Sequence, residues 1–169
     1  GFMFTHPGTK LLFQGGEFGQ TSEWNFQTSL DWHLLQYDVH KGIQTLIKGL
    51  NKFYKKETAL FQKQFTNEGF EWIDHGDFEN CVLSYIRKGN NEEDNVIVVL
   101  NLTPVPRANY RIGLPSKGSL KEVFNSDLKK YNGTGLYQNK NITSEQKEWN
   151  HRAFSTEIQL PPLAMLAFK

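Results

Sequence analysis

The sequence predicts a mainly β protein: an antiparallel β-sandwich preceded by one strand and one long helix. Three observations predict this. Beyond residue 65, short apolar or alternating runs recur with Gly, Pro, Asn and Asp between them. Ahead of them, residues 38–60 carry an apolar stripe at helical spacing. Ahead of that, Leu11, Leu12 and Phe13 form a short continuous apolar run, the texture of a strand covered on both faces of a parallel sheet.

In chain order, residues 1–7 read as a helix tail entering a loop, because Pro7 restricts His6 away from the helical region. The strand at 10–14 breaks at Gly15–Gly16, where the backbone can turn sharply. Glu17 follows at the strand's end. In an α/β barrel that is where substrate-handling groups collect, although such a carboxylate can equally pair with a neighbouring loop. Residues 21–32 form a polar and aromatic loop. In the helix, Ile43, Leu46, Ile47, Leu50, Phe53 and Tyr54 recur at offsets of three and four. Asp38 stands as its N-cap, Lys41, Lys48, Lys52 and Lys55 face solvent, and Gly42 and Gly49 weaken it. This stripe needs an apolar partner and is expected to pack on the β part.

Strands are predicted at 70–73, 82–87, 96–102, 110–114, 120–125, 155–160 and 164–168. His75-Gly76-Asp77 and residues 89–95 supply turns, Pro104 and Pro106 end a strand, and Pro161–Pro162 part the last two. Residues 131–149 read as a long loop with one short strand.

Composition narrows the function. A net charge of +1, with 22% charged and 38% hydrophobic residues, describes a globular chain. Basic residues cluster no further than Lys55–Lys56 and Lys129–Lys130, so nucleic-acid binding has no electrostatic footprint. No apolar run reaches the ~18 residues of a membrane span. Cys81 is the single cysteine, which excludes an internal disulfide and a CxxC metal site, fits a reducing setting, and reads as a small buried hydrophobe. Asp74, Asp77 and Glu79 beside His75 lack the alternation of an EF-hand loop and read as a solvated turn. Aromatics reach 14%, a surplus that suits both sugar-binding faces and β-domain cores.

The order of MFTHPG (3–8), GGEFGQ (15–20), EWN (23–25) and LDWHLL (30–35) makes residues 3–51 resemble the end of the catalytic barrel of bacterial 1,4-alpha-glucan branching enzymes, in the alpha-amylase superfamily. FEWIDHGDFENCVLSYIRKG (70–89), VLNLTPVPRANYRIGLP (99–115) and LPPLAMLAFK (160–169) resemble the same family's C-terminal β domain. The resemblance implies that residues 1–62 are the last strand, loop and helix of a truncated (β/α)8 barrel and residues 63–169 the C-terminal all-β domain. It implies a cytoplasmic enzyme that cleaves an alpha-1,4-glucan and transfers the chain to a 6-hydroxyl, with no cofactor and no metal. The family's nucleophilic Asp, acid/base Glu and third Asp precede the MFTHPG segment. The expectation is therefore that this chain is inactive alone, that its partner is the missing N-terminal barrel, and that residues 1–30 pack irregularly without it. For substrate contacts the resemblance points to Glu17, Trp24, Asn25, Asp31 and Trp32: indole faces for glucosyl rings and polar groups for their hydroxyls. Both tryptophans can instead cover the barrel rim, with Trp32 stapling the next helix. Two other functions stay open: a stand-alone carbohydrate-binding β-sandwich, and a different alpha-amylase-superfamily enzyme such as a trehalose-forming one.

Overall fold

Val96, Ile97, Val98, Val99 and Leu100 are all buried, and the strand they form is covered on both faces. In the computed structural model, which describes residues 1–169, this strand is the middle of a five-stranded antiparallel sheet. The elements are α1 (Phe2–Thr5), α2 (Asp38–Lys56), β1 (Phe70–Asp77), β2 (Val82–Arg87), β3 (Val96–Asn101), β4 (Arg107–Leu114), β5 (Ser119–Leu120), β6 (Glu122–Asn125), β7 (Ile142–Thr143), β8 (Phe154–Leu160) and β9 (Ala164–Phe168). The large sheet runs β1-β2-β3-β9-β6, and β4-β8 and β5-β7 form two smaller pairs.

Alternation along the strands sorts the core into two layers. Tyr85, Val96, Val98, Leu100, Met165 and Ala167 face Phe4, Leu50, Phe53 and Leu60 of the helical segment. Ile86, Ile97, Val99, Leu166 and Phe168 face Ile112, Leu114, Ile158 and Leu160 of the β4–β8 pair. The result is the expected sandwich with a helix laid on its other side. The amphipathic stripe of α2 has found the β sheet as its partner, Phe53 meeting Phe124 with ring centroids 5.0 Å apart. No helix is long and apolar enough to cross a membrane.

Residues 1–69 are fastened to the sheet by polar groups as well. Arg87 is fully buried and spreads its guanidinium over three carbonyls: Nη1 to Thr5 O (2.6 Å), Nη2 to Leu60 O (3.2 Å) and Nε to Gly69 O (3.2 Å). The Thr5 and Tyr85 hydroxyls are bonded at 2.6 Å beside it. Burial pushes the Arg87 guanidinium below its ordinary pKa, and the tyrosine hydroxyls Tyr85 and Tyr54 oppose that shift. Past α2, buried Glu57 pairs with Lys169 at 3.2 Å, tying the helix end to the C-terminal residue.

Four local expectations are corrected. Leu11–Phe13 is not a strand: Leu11 is 80% and Phe13 60% exposed, because no neighbouring parallel strand exists here to take its backbone donors and acceptors. Asp38 is the first helical residue and not the cap; Tyr37 precedes the helix, and the Asp38 carboxylate lies 3.4 Å from Lys41 Nζ. Cys81 is exposed in the β1–β2 turn at φ +49°, its thiol 3.3 Å from Phe78 O. Gly42 and Gly49 are docking slots: a Cβ at Gly49 would stand 2.4 Å from the Tyr131 hydroxyl, and one at Gly42 2.7 Å from Tyr131 O. The predicted loop at 131–149 does hold one short strand, β7.

Candidate functional site

The GGEFG turn organises the first candidate site. Gly15 adopts φ +83° and Gly19 φ +68°, left-handed conformations open to glycine, and the Gln20 amide closes the turn on Gly15 O at 2.9 Å. A Cβ at Gly19 would stand 2.7 Å from Ile43 Cδ1, so the turn lies directly on α2. Phe18 points inward and is fully buried. Its ring packs on Trp32 at 5.1 Å and its carbonyl accepts a bond from His40 Nδ1 at 2.9 Å.

Beyond the turn the chain folds back through a polar lattice. Trp24 Nε1 donates to Gln14 Oε1 (2.8 Å), and Phe13 meets the Trp24 ring edge-on at 5.5 Å. Gln20 accepts from the Asp31 amide (2.9 Å) and donates to Ser22 O (3.3 Å), while the Ser22 hydroxyl donates to Asp31 Oδ2 (2.5 Å). Together these residues wall an open groove of about 480 Å³ lined by Phe13, Gln14, Gln20, Ser22, Glu23 and Trp24 with the turn glycines.

Of the predicted residues, only Trp24 lines this groove. Asp31 supports it from behind through Ser22 and Gln20. Asn25 spends its side-chain oxygen on the Gln27 amide (2.9 Å), a local turn bond. Trp32, half exposed, sits over Phe18 in the 3₁₀ turn Trp32–Gln36 that leads into α2. Glu17 lies outside the groove lining. Gln14, Gln20, Ser22 and Glu23 were missed by sequence reasoning. Their signal was positional, since the two glutamines bracket the glycine turn that fixes the groove.

The groove offers an indole, amide groups and one carboxylate, Glu23. That set can hold a polar ring compound. Glycosidic displacement with retention needs two carboxyls about 5–5.5 Å apart, and the groove lining has only one. Elsewhere, the carboxylates with shifted pKa values are both pulled down. Glu71 is held low first by its bond from Lys88 and further by Arg152, against burial. Asp77 is buried enough to be pushed up, but bonds from Tyr110 and Asn80 outweigh that and lower it. Neither is a proton donor near neutrality. Lys10, next to the turn, is pushed down to about 8 by burial and then by the Arg87 charge. No group of three or more His, Cys, Asp or Glu side chains converges as a metal site.

Residues 72–169 match the family described as alpha amylase, C-terminal all-beta domain. The chain is 47% identical over 169 residues to the 1,4-alpha-glucan branching enzyme of Aquifex aeolicus, covering 100% of this chain and 27% of that protein. It is 51% identical over 162 residues to the 1,4-alpha-glucan branching enzyme of Methylococcus capsulatus, covering 96% of this chain and 22% of that protein. It thus spans about a quarter of the length of these curated relatives. Among solved structures, the alpha-amylase from H. orenii superposes with a TM-score of 0.58 at 16% identity, over 98% of this chain and 33% of that one. A cyclomaltodextrinase superposes with a TM-score of 0.52 at 14% identity, over 99% of this chain and 24% of that one. At those identities the two structures speak for the fold alone.

Proposed function

The chain belongs to the family of alpha amylase C-terminal all-beta domains, and we propose that it is the C-terminal part of a 1,4-alpha-glucan branching enzyme. The observation that carries this is near-half identity along essentially the whole chain to proteins of that name, which continues through residues 1–71 ahead of the matched β domain. The complete protein would cleave an alpha-1,4-glucan, hold the released chain on a carboxylate and pass it to a 6-hydroxyl. The pair of carboxyls this requires belongs to the rest of that protein, which leaves residues 1–169 inactive alone.

In this reading residues 1–62 close the catalytic barrel and residues 63–169 are the β domain that supports it. Exposure of Leu11, Phe13 and Phe26 supports the division, since the preceding barrel strands would cover these apolar side chains, while Trp24, between Phe13 and Phe26, keeps its place in the groove lining. Trp24, with Glu23 and the two glutamines, would then stand at the edge of the glucan cleft. Glu17, Asn25, Asp31 and Trp32 would shape that edge from behind or beside it. A cytoplasmic location follows from the same assignment, as glycogen is built inside the cell.

The test is an assay of the complete protein on amylose, reading iodine absorbance together with isoamylase-sensitive linkages. New alpha-1,6 linkages from the complete protein and none from residues 1–169 are expected. Release of reducing ends without new branches would refute branching, and branching by residues 1–169 would refute the division of labour.

A further inference from the structure

A second cleft, larger than the Trp24 groove, is cut into the β part from different elements. It has a volume of about 930 Å³ and lies between the end of β1, the start of β4, the 147–149 segment and β8. Its key lining groups are Asp74, Arg107, Asn109, Lys147, Trp149 and Glu157.

Trp149 is 45% exposed, yet it is rigidly mounted. Its backbone exchanges two 3.0 Å hydrogen bonds with Arg152 across a two-residue turn in which Asn150 (φ +49°) and His151 (φ +58°) are both left-handed, the tight hairpin geometry. The Asn150 side chain clamps that turn, accepting from Gly113 N (2.9 Å) and donating to Asp74 Oδ2 (2.8 Å). Gly113 permits this because a Cβ there would stand 2.4 Å from Trp149 O. The same turn seats Arg152 against Glu71 and leaves the Trp149 indole in the lining of the cleft.

The charges opposite it balance. Asp74, Asp77 and Glu157 supply three carboxylates, and Arg107, Arg111 and Lys147 three cations. The cleft therefore selects neither an anion nor a cation. Arg111 and Tyr110 are locked in place, by Glu145 (2.9 Å) and Glu157 (2.7 Å) and by Asp77 (2.6 Å) respectively. Arg107 spends one bond on Asn80 O (3.0 Å), while Lys147 and the Trp149 indole nitrogen make no side-chain bond. A fixed indole face, free donors and a net-neutral polar wall are complementary to a neutral polyhydroxylated ring. We infer that this cleft is a carbohydrate-binding site on the β domain, separate from the Trp24 groove. Resting on the branching-enzyme reading above, we assign its ligand as a segment of alpha-1,4-glucan. The site would hold a glucan chain away from the chemistry.

The experiment is affinity electrophoresis of the 169-residue chain in gels containing glycogen or hyaluronan, with maltoheptaose titration followed by tryptophan fluorescence. Glycogen should retard the chain, hyaluronan should not, and Trp149→Ala should weaken maltoheptaose binding roughly tenfold, as loss of a central aromatic contact does. Trp149→Phe should recover part of the affinity, and an unchanged melting curve for both variants shows that the turn survives. Absence of retardation by glycogen overturns the site, as does unaltered binding by folded Trp149→Ala. Equal or stronger retardation by hyaluronan overturns the charge argument. None of these outcomes touches the branching assignment, which is read from alpha-1,6 linkages made by the complete protein.

Discussion

Replacing Arg87 by Met tests whether a buried cation without a carboxylate partner fastens residues 1–69 to the sheet. Met keeps most of the side chain's apolar length and removes the guanidinium. Gly69 O keeps a second donor, Lys88 N at 3.0 Å, but Thr5 O and Leu60 O accept from no other group. A buried carbonyl left without a donor costs about 1–3 kcal/mol, so the two together cost about 2–6 kcal/mol. Relief from burying a charge returns part of this, as it does when buried ion pairs are replaced by apolar groups. A net loss of ~3 kcal/mol is expected, which lowers Tm by roughly 6–12 °C for a chain of this size. The assay is urea and thermal unfolding followed by circular dichroism, with hydrogen exchange to locate the loosening. Exchange should quicken in α1 and around residues 60–69 before the centre of β3. Arg87→Lys should fall between, since an ammonium cannot fork across several carbonyls. A Met variant within ~1 kcal/mol of the parent, with unaltered exchange in α1, would refute the reasoning.

Four further outcomes follow from the same contacts. Gly49→Ala should destabilise by about 1–3 kcal/mol although alanine favours helices, because the new methyl meets the Tyr131 ring; a stabilised variant in a urea melt would deny the slot. Stability should fall as pH drops through the acid range. Glu71 and Asp77 have folded pKa values below their unfolded ones, so the unfolded chain binds more protons there, and Tm measured between pH 6 and pH 3 should slope less steeply in Glu71→Gln. Cys81 should react with iodoacetamide in the native protein within minutes, and protection from the reagent would contradict its exposure in the β1–β2 turn. In the complete protein, Trp24→Ala should raise KM for amylose roughly two- to tenfold, the worth of ~0.5–1.5 kcal/mol of aromatic contact, with Tm nearly unmoved; an unchanged KM removes Trp24 from the substrate's path.

Features that depend on neighbours along the chain were legible in the residues alone. Period and punctuation placed α2 to within a few residues and marked β2, β3, β8 and β9, because their side chains alternate or run apolar between turn formers. The ordered motifs from MFTHPG to LPPLAMLAFK pointed to the family that the comparisons then identified. What depends on distant partners was decided by the tertiary structure alone. Leu11–Phe13 has a strand's composition, but a strand exists only where another backbone completes its hydrogen bonds, and none does here. Gly42 and Gly49 looked like helix weaknesses until Tyr131, 82 residues beyond Gly49, filled the space they leave. Cys81 sits one residue before a buried strand and is exposed, since it belongs to the β1–β2 turn, at φ +49°, and not to the strand whose side chains enter the core. The two clefts follow the same rule. Trp24 was visible as an aromatic in a polar loop, whereas Trp149 gained meaning only when Asn150 reached Asp74, 76 positions away, and held the indole in the open.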